Sequence, residues 1–286
     1  MHALELIDDW PVVSVSAAAL VYDGAGARIR THRRGDSEQS YRIASITKPI
    51  TTWAVLVAVE EGLLELDSPL GQPGCTLRHL LSHAGGYPFD GPTPIAAPGT
   101  RRIYSNTGIE MAADAVATAS GMPFVEYLTE AVLAPLGMSA TELRGSPAHA
   151  LWSTVDDLCR FVDELVRPRL LAEATARPAE HPVFADLAGI VPGLGRYERC
   201  SWGLGLEVKG DKDPHWTGLA NSAATFGHFG GAGTLLWVDR GASSEGAVAC
   251  IALTDRPFDE WAADALVLWP AFSDAVLRDT TTGAQS

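Results

Sequence analysis

The chain has 286 residues, 47% of them hydrophobic and 20% charged, an ordinary globular composition long enough for a sizeable core, which excludes an intrinsically disordered chain. Asp plus Glu number 35 against 21 Lys plus Arg, a formal net charge of -14, so phosphate backbones and anionic lipid surfaces are repelled and no nucleic-acid partner is expected. The longest apolar runs, Trp53 to Val59 and Ala247 to Leu253, fall far below the roughly 18 residues that a membrane-spanning helix requires, so no membrane partner is expected either.

From the N-terminus, the segment Met1 to Trp10 carries acids where an export signal would carry basic residues and an apolar core, and the expectation is a cytoplasmic protein. Pro11 to Tyr22 alternates and is rich in Val and Ala, Asp23-Gly24-Ala25-Gly26 interrupts it, and Ala27 to His32 is extended again, which predicts a hairpin. Apolar residues then recur at helical spacing from Ser45 to Glu61, with Gly62 where a C-terminal cap belongs, so the first helix begins at or beside Ser45. Further helices are predicted over Thr76 to Ser82, Thr107 to Ser120 (closed by Gly121), Pro123 to Leu133 and Thr154 to Val166, the last with Ser153 as N-cap. Residues 168 to 200 hold several Pro and Gly without a period and are read as loops and short turns. Strand patterns resume at Trp202 to Lys209, Thr225 to Phe229, Gly233 to Asp239 and Gly246 to Thr254, before a final helix over Asp259 to Arg278. Strands at both ends and helices between predict an α/β protein of the α+β type. One antiparallel sheet would join the N-terminal hairpin to the C-terminal strands, covered by the first and last helices.

The four cysteines, Cys75, Cys159, Cys200 and Cys250, are widely spaced and read as reduced thiols. His79 and His83 stand four apart, but Leu80, Leu81 and Ser82 lie between them, with no Glu to serve as base, so no metal site is expected. Chemistry points instead to Ser45-Ile46-Thr47-Lys48, because a spacing of three on a helix places hydroxyl and amine on one face. By itself this pattern equally describes a capping serine followed by a solvated lysine. Two further clusters follow in order: Tyr104-Ser105-Asn106 in a polar loop before a helix, and Gly227-His228-Phe229-Gly230-Gly231 leading into a strand.

In that order these clusters resemble the serine β-lactamases and penicillin-binding proteins, specifically the branch of class C β-lactamases, D-alanyl-D-alanine carboxypeptidases, D-aminopeptidases and related esterases. The resemblance extends to Thr76-Leu77-Arg78-His79-Leu80-Leu81-Ser82-His83-Ala84-Gly85-Gly86, to Pro98-Gly99-Thr100, to Trp152-Ser153-Thr154-Val155-Asp156-Asp157-Leu158 and to Trp202-Gly203-Leu204-Gly205. It implies a β-lactamase-like fold, an antiparallel sheet flanked by helices plus a helical lobe. The whole chain, 1–286, would form one such domain, with its sheet lobe from about 1–48 and 196–286 and its helical lobe at about 49–195. It further implies that Ser45 attacks a carbonyl and that Lys48 and Tyr104 share the proton transfers, with the base in each step left open. The backbone N–H groups of Ser45 and Gly231 would form the oxyanion hole, while Asn106, His228, Phe229 and Gly230 would bind substrate.

The third cluster departs from most β-lactamases, which carry Lys-Thr-Gly or Lys-Ser-Gly where this chain has His228-Phe229-Gly230. A neutral imidazole suits a substrate carboxylate less well than an ammonium does, and Phe229 removes a hydroxyl donor. If His228 donates to substrate, activity should change between about pH 5.5 and 7.5. The expected function is therefore a cofactor-independent serine hydrolase acting through an acyl-enzyme on a small ester, amide or lactam, with esterase or amidase activity favoured. The alternatives are a true β-lactamase or D-amino-acid peptidase, and, in another class, a penicillin-recognising sensor that acylates without turnover.

Overall fold

A computed structural model describes residues 1–243 and 246–282. Its main sheet contains β1 (Val15–Tyr22), β2 (Arg28–Arg34), β3 (Glu207–Val208), β4 (Phe226–Gly230), β5 (Thr234–Ser243) and β6 (Gly246–Thr254). Their spatial order is β2-β1-β6-β5-β4-β3, and every neighbouring pair is antiparallel. The expected joining of chain ends is thus realised by β1 on β6, running from Val15 opposite Thr254 to Val21 opposite Val248.

Period-two alternation on these strands feeds two cores, because successive side chains leave opposite faces of a sheet. Ala18, Leu20, Leu236, Val238, Ala249 and Ile251 face one core with α1 (Thr47–Glu60), α2 (Asn106–Ser120) and α3 (Val155–Val166). Ala17, Ala19, Leu235, Trp237 and Cys250 face the other, with Trp269, Phe272 and Val276 of α4 (Ala262–Thr282) and with Leu4 and Ile7 of an N-terminal 3-10 helix. Helix α1 buries residues on nearly every side, among them Lys48, Ile50, Trp53 and Leu56, as expected of a helix running through a core. Gly62 ends it with a φ of 75° and its N–H on Val59 O at 3.1 Å, a left-handed turn that glycine adopts without strain.

Several boundaries differ from the sequence reading. Thr154, not Ser153, caps α3, its side chain accepting from Asp157 N at 3.1 Å. Ser153 is already committed to the strand Leu151–Ser153. The expected strand Trp202 to Lys209 shrinks to Glu207–Val208 because Gly205 turns with a φ of 70°. A Cβ there would lie 2.1 Å from Thr52 Oγ1. Residues 168–200 are not merely loops. They contain a helix over Glu173–Glu180 and a hairpin of Gly189–Val191 with Gly195–Tyr197, whose first strand runs parallel to Arg102–Ile103. The last helix is preceded by a separate 3-10 turn, Phe258–Glu260. All four cysteines are free and buried, and no described helix is long and apolar enough to cross a membrane.

Candidate active site

Ser45 sits in a single 3-10 turn, Ala44–Ile46, that runs into α1. Ala44 has a φ of 45°, a left-handed conformation that costs a non-glycine residue about 1–3 kcal/mol and persists only when its surroundings enforce it. Enforcement comes through Ile43, whose N–H donates to Leu151 O at 3.0 Å and whose carbonyl accepts from Thr234 Oγ1 at 3.1 Å. The turn leaves Ser45 partly exposed while Lys48 behind it is fully buried.

Lys48 Nζ lies 3.1 Å from Ser45 Oγ, 2.7 Å from Asn106 Oδ1 and 3.0 Å from Ala148 O. Neither the amide oxygen nor the carbonyl can donate, so each takes an N–H from the amine. In the neutral amine the remaining lone pair then faces Ser45 Oγ and can accept its proton. Burial pushes the Lys48 pKa from 10.5 down to about 7, against the opposing pull of the Glu110 and Asp90 carboxylates. The neutral form is therefore well populated near neutral pH.

Asn106 opens α2, whose N-cap Ser105 accepts from Gly108 N at 3.1 Å. Its Nδ2 donates to Asp90 Oδ1 at 3.0 Å while Oδ1 holds Lys48. The side chain expected to bind substrate is thus engaged at both ends, with Lys48 as its direct contact. Tyr104, two residues upstream, lines the same cavity as Ser45 and lies with its ring centroid 4.7 Å from Lys48 Nζ. Burial raises the phenol well above its ordinary value, the nearby Ser45 hydroxyl opposing, so Tyr104 carries its proton at neutral pH.

His228 is buried, with Nδ1 2.6 Å from Phe229 O and Nε2 3.3 Å from Tyr104 Oη. Because a carbonyl only accepts, Nδ1 is the protonated nitrogen and Nε2 is left as the acceptor facing Tyr104. Burial, reinforced by the charge of Lys48, holds the imidazole pKa down to about 3. As placed here, His228 offers Nε2 as an acceptor rather than the donor expected towards substrate, and the group whose pKa falls between 5.5 and 7.5 is Lys48 rather than His228. Gly230 must be glycine, since a Cβ would lie 2.4 Å from Ile43 O and 2.4 Å from Thr234 Oγ1. Gly231 has open space at that position and lines the same cavity as Ser45.

That cavity, about 420 Å³, is walled by Phe89, Tyr104, Val191, Trp202, Phe229 and Phe258 around Ser45. Sequence reasoning missed the contribution of Val191, Pro192 and Gly193, which lie at the turn of the 189–197 hairpin. The Pro192-Gly193 dipeptide was the available signal. The two histidines set aside as metal ligands have separate partners. His79 Nδ1 pairs with Thr76 Oγ1 at 2.8 Å, whereas His83 Nδ1 accepts from Ser105 N at 3.2 Å and its ring packs against Tyr104 and Trp202. His83 therefore supports the Tyr104 segment from below.

A serine and lysine at the head of a core helix, beside an edge of an antiparallel sheet, define the β-lactamase fold class. Solved structures share that fold. One is a β-lactamase from Mycobacterium bovis, 45% identical, with 97% of this chain and 98% of that chain covered at a TM-score of 0.89. Another, a D-stereospecific amidohydrolase from Streptomyces sp., is 22% identical with 93% and 96% covered at 0.66. Residues 12–268 match the family model described as Beta-lactamase, and the chain belongs to that family of serine hydrolases. Among curated relatives, the D-alanyl-D-alanine-carboxypeptidase/endopeptidase AmpH of Escherichia coli (strain K12) is 30% identical over 185 residues, 52% of this chain and 44% of the relative. The chain thus aligns with rather less than half of that relative's length.

Proposed function

We propose that the protein hydrolyses small esters or amides through an acyl-enzyme on Ser45. The observation that carries this reading is the buried Lys48 amine, 3.1 Å from Ser45 Oγ and lowered to a pKa of about 7, because a serine hydroxyl is a weak nucleophile until a base takes its proton. Lys48 accepts that proton as Oγ bonds to the substrate carbonyl carbon, and the N–H groups of Ser45 and Gly231 stabilise the oxyanion. Collapse breaks the bond to the leaving group, which takes a proton relayed through Tyr104, itself reprotonated from Lys48. Water then attacks the acyl group by the reverse relay, releasing the acid and restoring the Ser45 hydroxyl.

Esterase or amidase activity is favoured over lactam hydrolysis because His228 and Phe229 stand where an ammonium and a hydroxyl would meet a lactam carboxylate. The 45% identity to a β-lactamase over nearly the whole chain favours the second reading, true β-lactamase activity. Turnover of short-chain p-nitrophenyl esters measured beside nitrocefin decides between them. The expected result is faster ester hydrolysis and loss of both activities in Ser45→Ala; a far higher turnover on nitrocefin reverses the ranking. Intact mass after exposure to a fluorophosphonate or a β-lactam separates an enzyme from a sensor, which would hold a stable lactam adduct without turnover.

A further inference from the structure

The charge around the cavity carries a statement about substrate class, which rests on the hydrolase reading above. Besides Tyr104 and His228, the ionisable side chain on the cavity wall is Asp259. It is exposed, in the Phe258–Glu260 turn, and this turn is fixed beside the site because Phe258 N donates to Gly231 O at 2.9 Å. Asp259 has no ion pair among the described residues, whereas its neighbour Glu260 pairs with Arg256 at 3.7 Å. Arg256 is turned away onto Pro11 O and Glu260 O. Arg101 and Arg196 border a separate cavity, beyond Phe89, Tyr104 and Pro192.

We propose that this cavity takes an uncharged, apolar aliphatic or aromatic group of the substrate, and that Asp259 is the specificity-determining residue that turns away substrates carrying a carboxylate there. An anion entering the cavity leaves water for walls of Phe, Trp and Val that carry no Lys or Arg side chain, Lys48 lying buried behind Ser45 and held by Asn106 and Ala148. At the rim it faces Asp259 within a molecule of net charge -14. In penicillin-type lactams the carboxylate sits on a carbon bonded to the lactam nitrogen, so it cannot leave the vicinity of the reacting carbonyl. Their exclusion follows from the same charge arrangement.

The test compares matched neutral and anionic substrates in the wild type and in Asp259→Lys, an exposed substitution that leaves the core intact. The acyl side is probed with p-nitrophenyl pentanoate against the p-nitrophenyl half-ester of succinate. The leaving-group side is probed with phenyl butanoate against m-carboxyphenyl butanoate, and nitrocefin is added as the carboxylate-bearing lactam. The wild type should prefer the neutral member of at least one pair by about tenfold or more in kcat/KM. Asp259→Lys should raise the ratio of kcat/KM for the disfavoured anion, and for nitrocefin, to that for the matched neutral ester by about tenfold. Equal rates within both pairs, or a ratio unmoved by Asp259→Lys, overturn the proposal while leaving the hydrolase reading intact. Absence of Ser45-dependent turnover on every ester overturns the hydrolase reading itself.

Discussion

At the scale of single residues, Lys48 sets both the rate and a stability cost. Its amine must be neutral to accept the Ser45 proton, so kcat/KM should rise with pH through an acid limb near 7 and level off above it. A pH–rate profile checks this, and His228→Gln should keep the limb within about one unit, because His228 stays neutral throughout that range. Lys48→Ala should reduce kcat by about a thousandfold or more. The same lowered pKa has a thermodynamic consequence. Between pH 7 and 10.5 the unfolded chain keeps the lysine proton that the folded protein has released, so wild-type stability should rise with pH relative to Lys48→Met. The slope is at most about 1.4 kcal/mol per pH unit, measurable by urea titration across that interval. Its absence would mean that Lys48 is not desolvated.

At the scale of elements, the short strand β3 depends on a buried ionic cluster. Glu207 Oε1 lies 3.3 Å from Lys212 Nζ and 3.4 Å from His215 Nε2, and Glu207 Oε2 accepts from Trp216 Nε1 at 2.8 Å. Burial alone would raise the Glu207 pKa. The Lys212 charge, the nearby His215 ring and the Trp216 hydrogen bond outweigh it and bring the carboxyl from 4.5 down to about 2. Its stabilising contribution is therefore complete above about pH 4.5 and is lost as pH falls through 2. Lys212→Met should leave a buried carboxylate without its cation and cost about 3–5 kcal/mol. Adding Glu207→Gln should recover part of that loss, and the difference between the two denaturant midpoints measures it. The pairing of Glu207 with Gly227 places this cluster behind His228, so its loss should also lower activity per folded molecule. Sequence patterning found the main helices and strands because each repeats its period over enough residues. It placed β3 but overran it, because the two residues that pair there, within the expected Trp202 to Lys209, are defined by their partners.

At the scale of the whole molecule, the sheet closes only when residues more than 200 positions apart pair, as Val15 does with Thr254, and α4 then packs across its face. Trp269 of that helix is fully buried, with ring centroids 5.2 Å from Phe258 and 5.9 Å from Phe229, both cavity walls. Trp269→Ala should lower stability by about 3–5 kcal/mol. It should also reduce kcat/KM for neutral esters under conditions where the variant is folded; a normal kcat/KM would show that the walls do not depend on this helix. The sequence by itself determined the order of the long helices and main strands, the joining of its two ends and the spacing of Ser45 and Lys48, since periodicity and a spacing of three are local properties. Only the tertiary structure decided that Lys48 is desolvated, that Asn106 holds it, that His228 faces Tyr104 as an acceptor and that Asp259 borders the cavity. Those outcomes depend on which distant segments exclude water and supply partners, and that is fixed by packing rather than by neighbours along the chain.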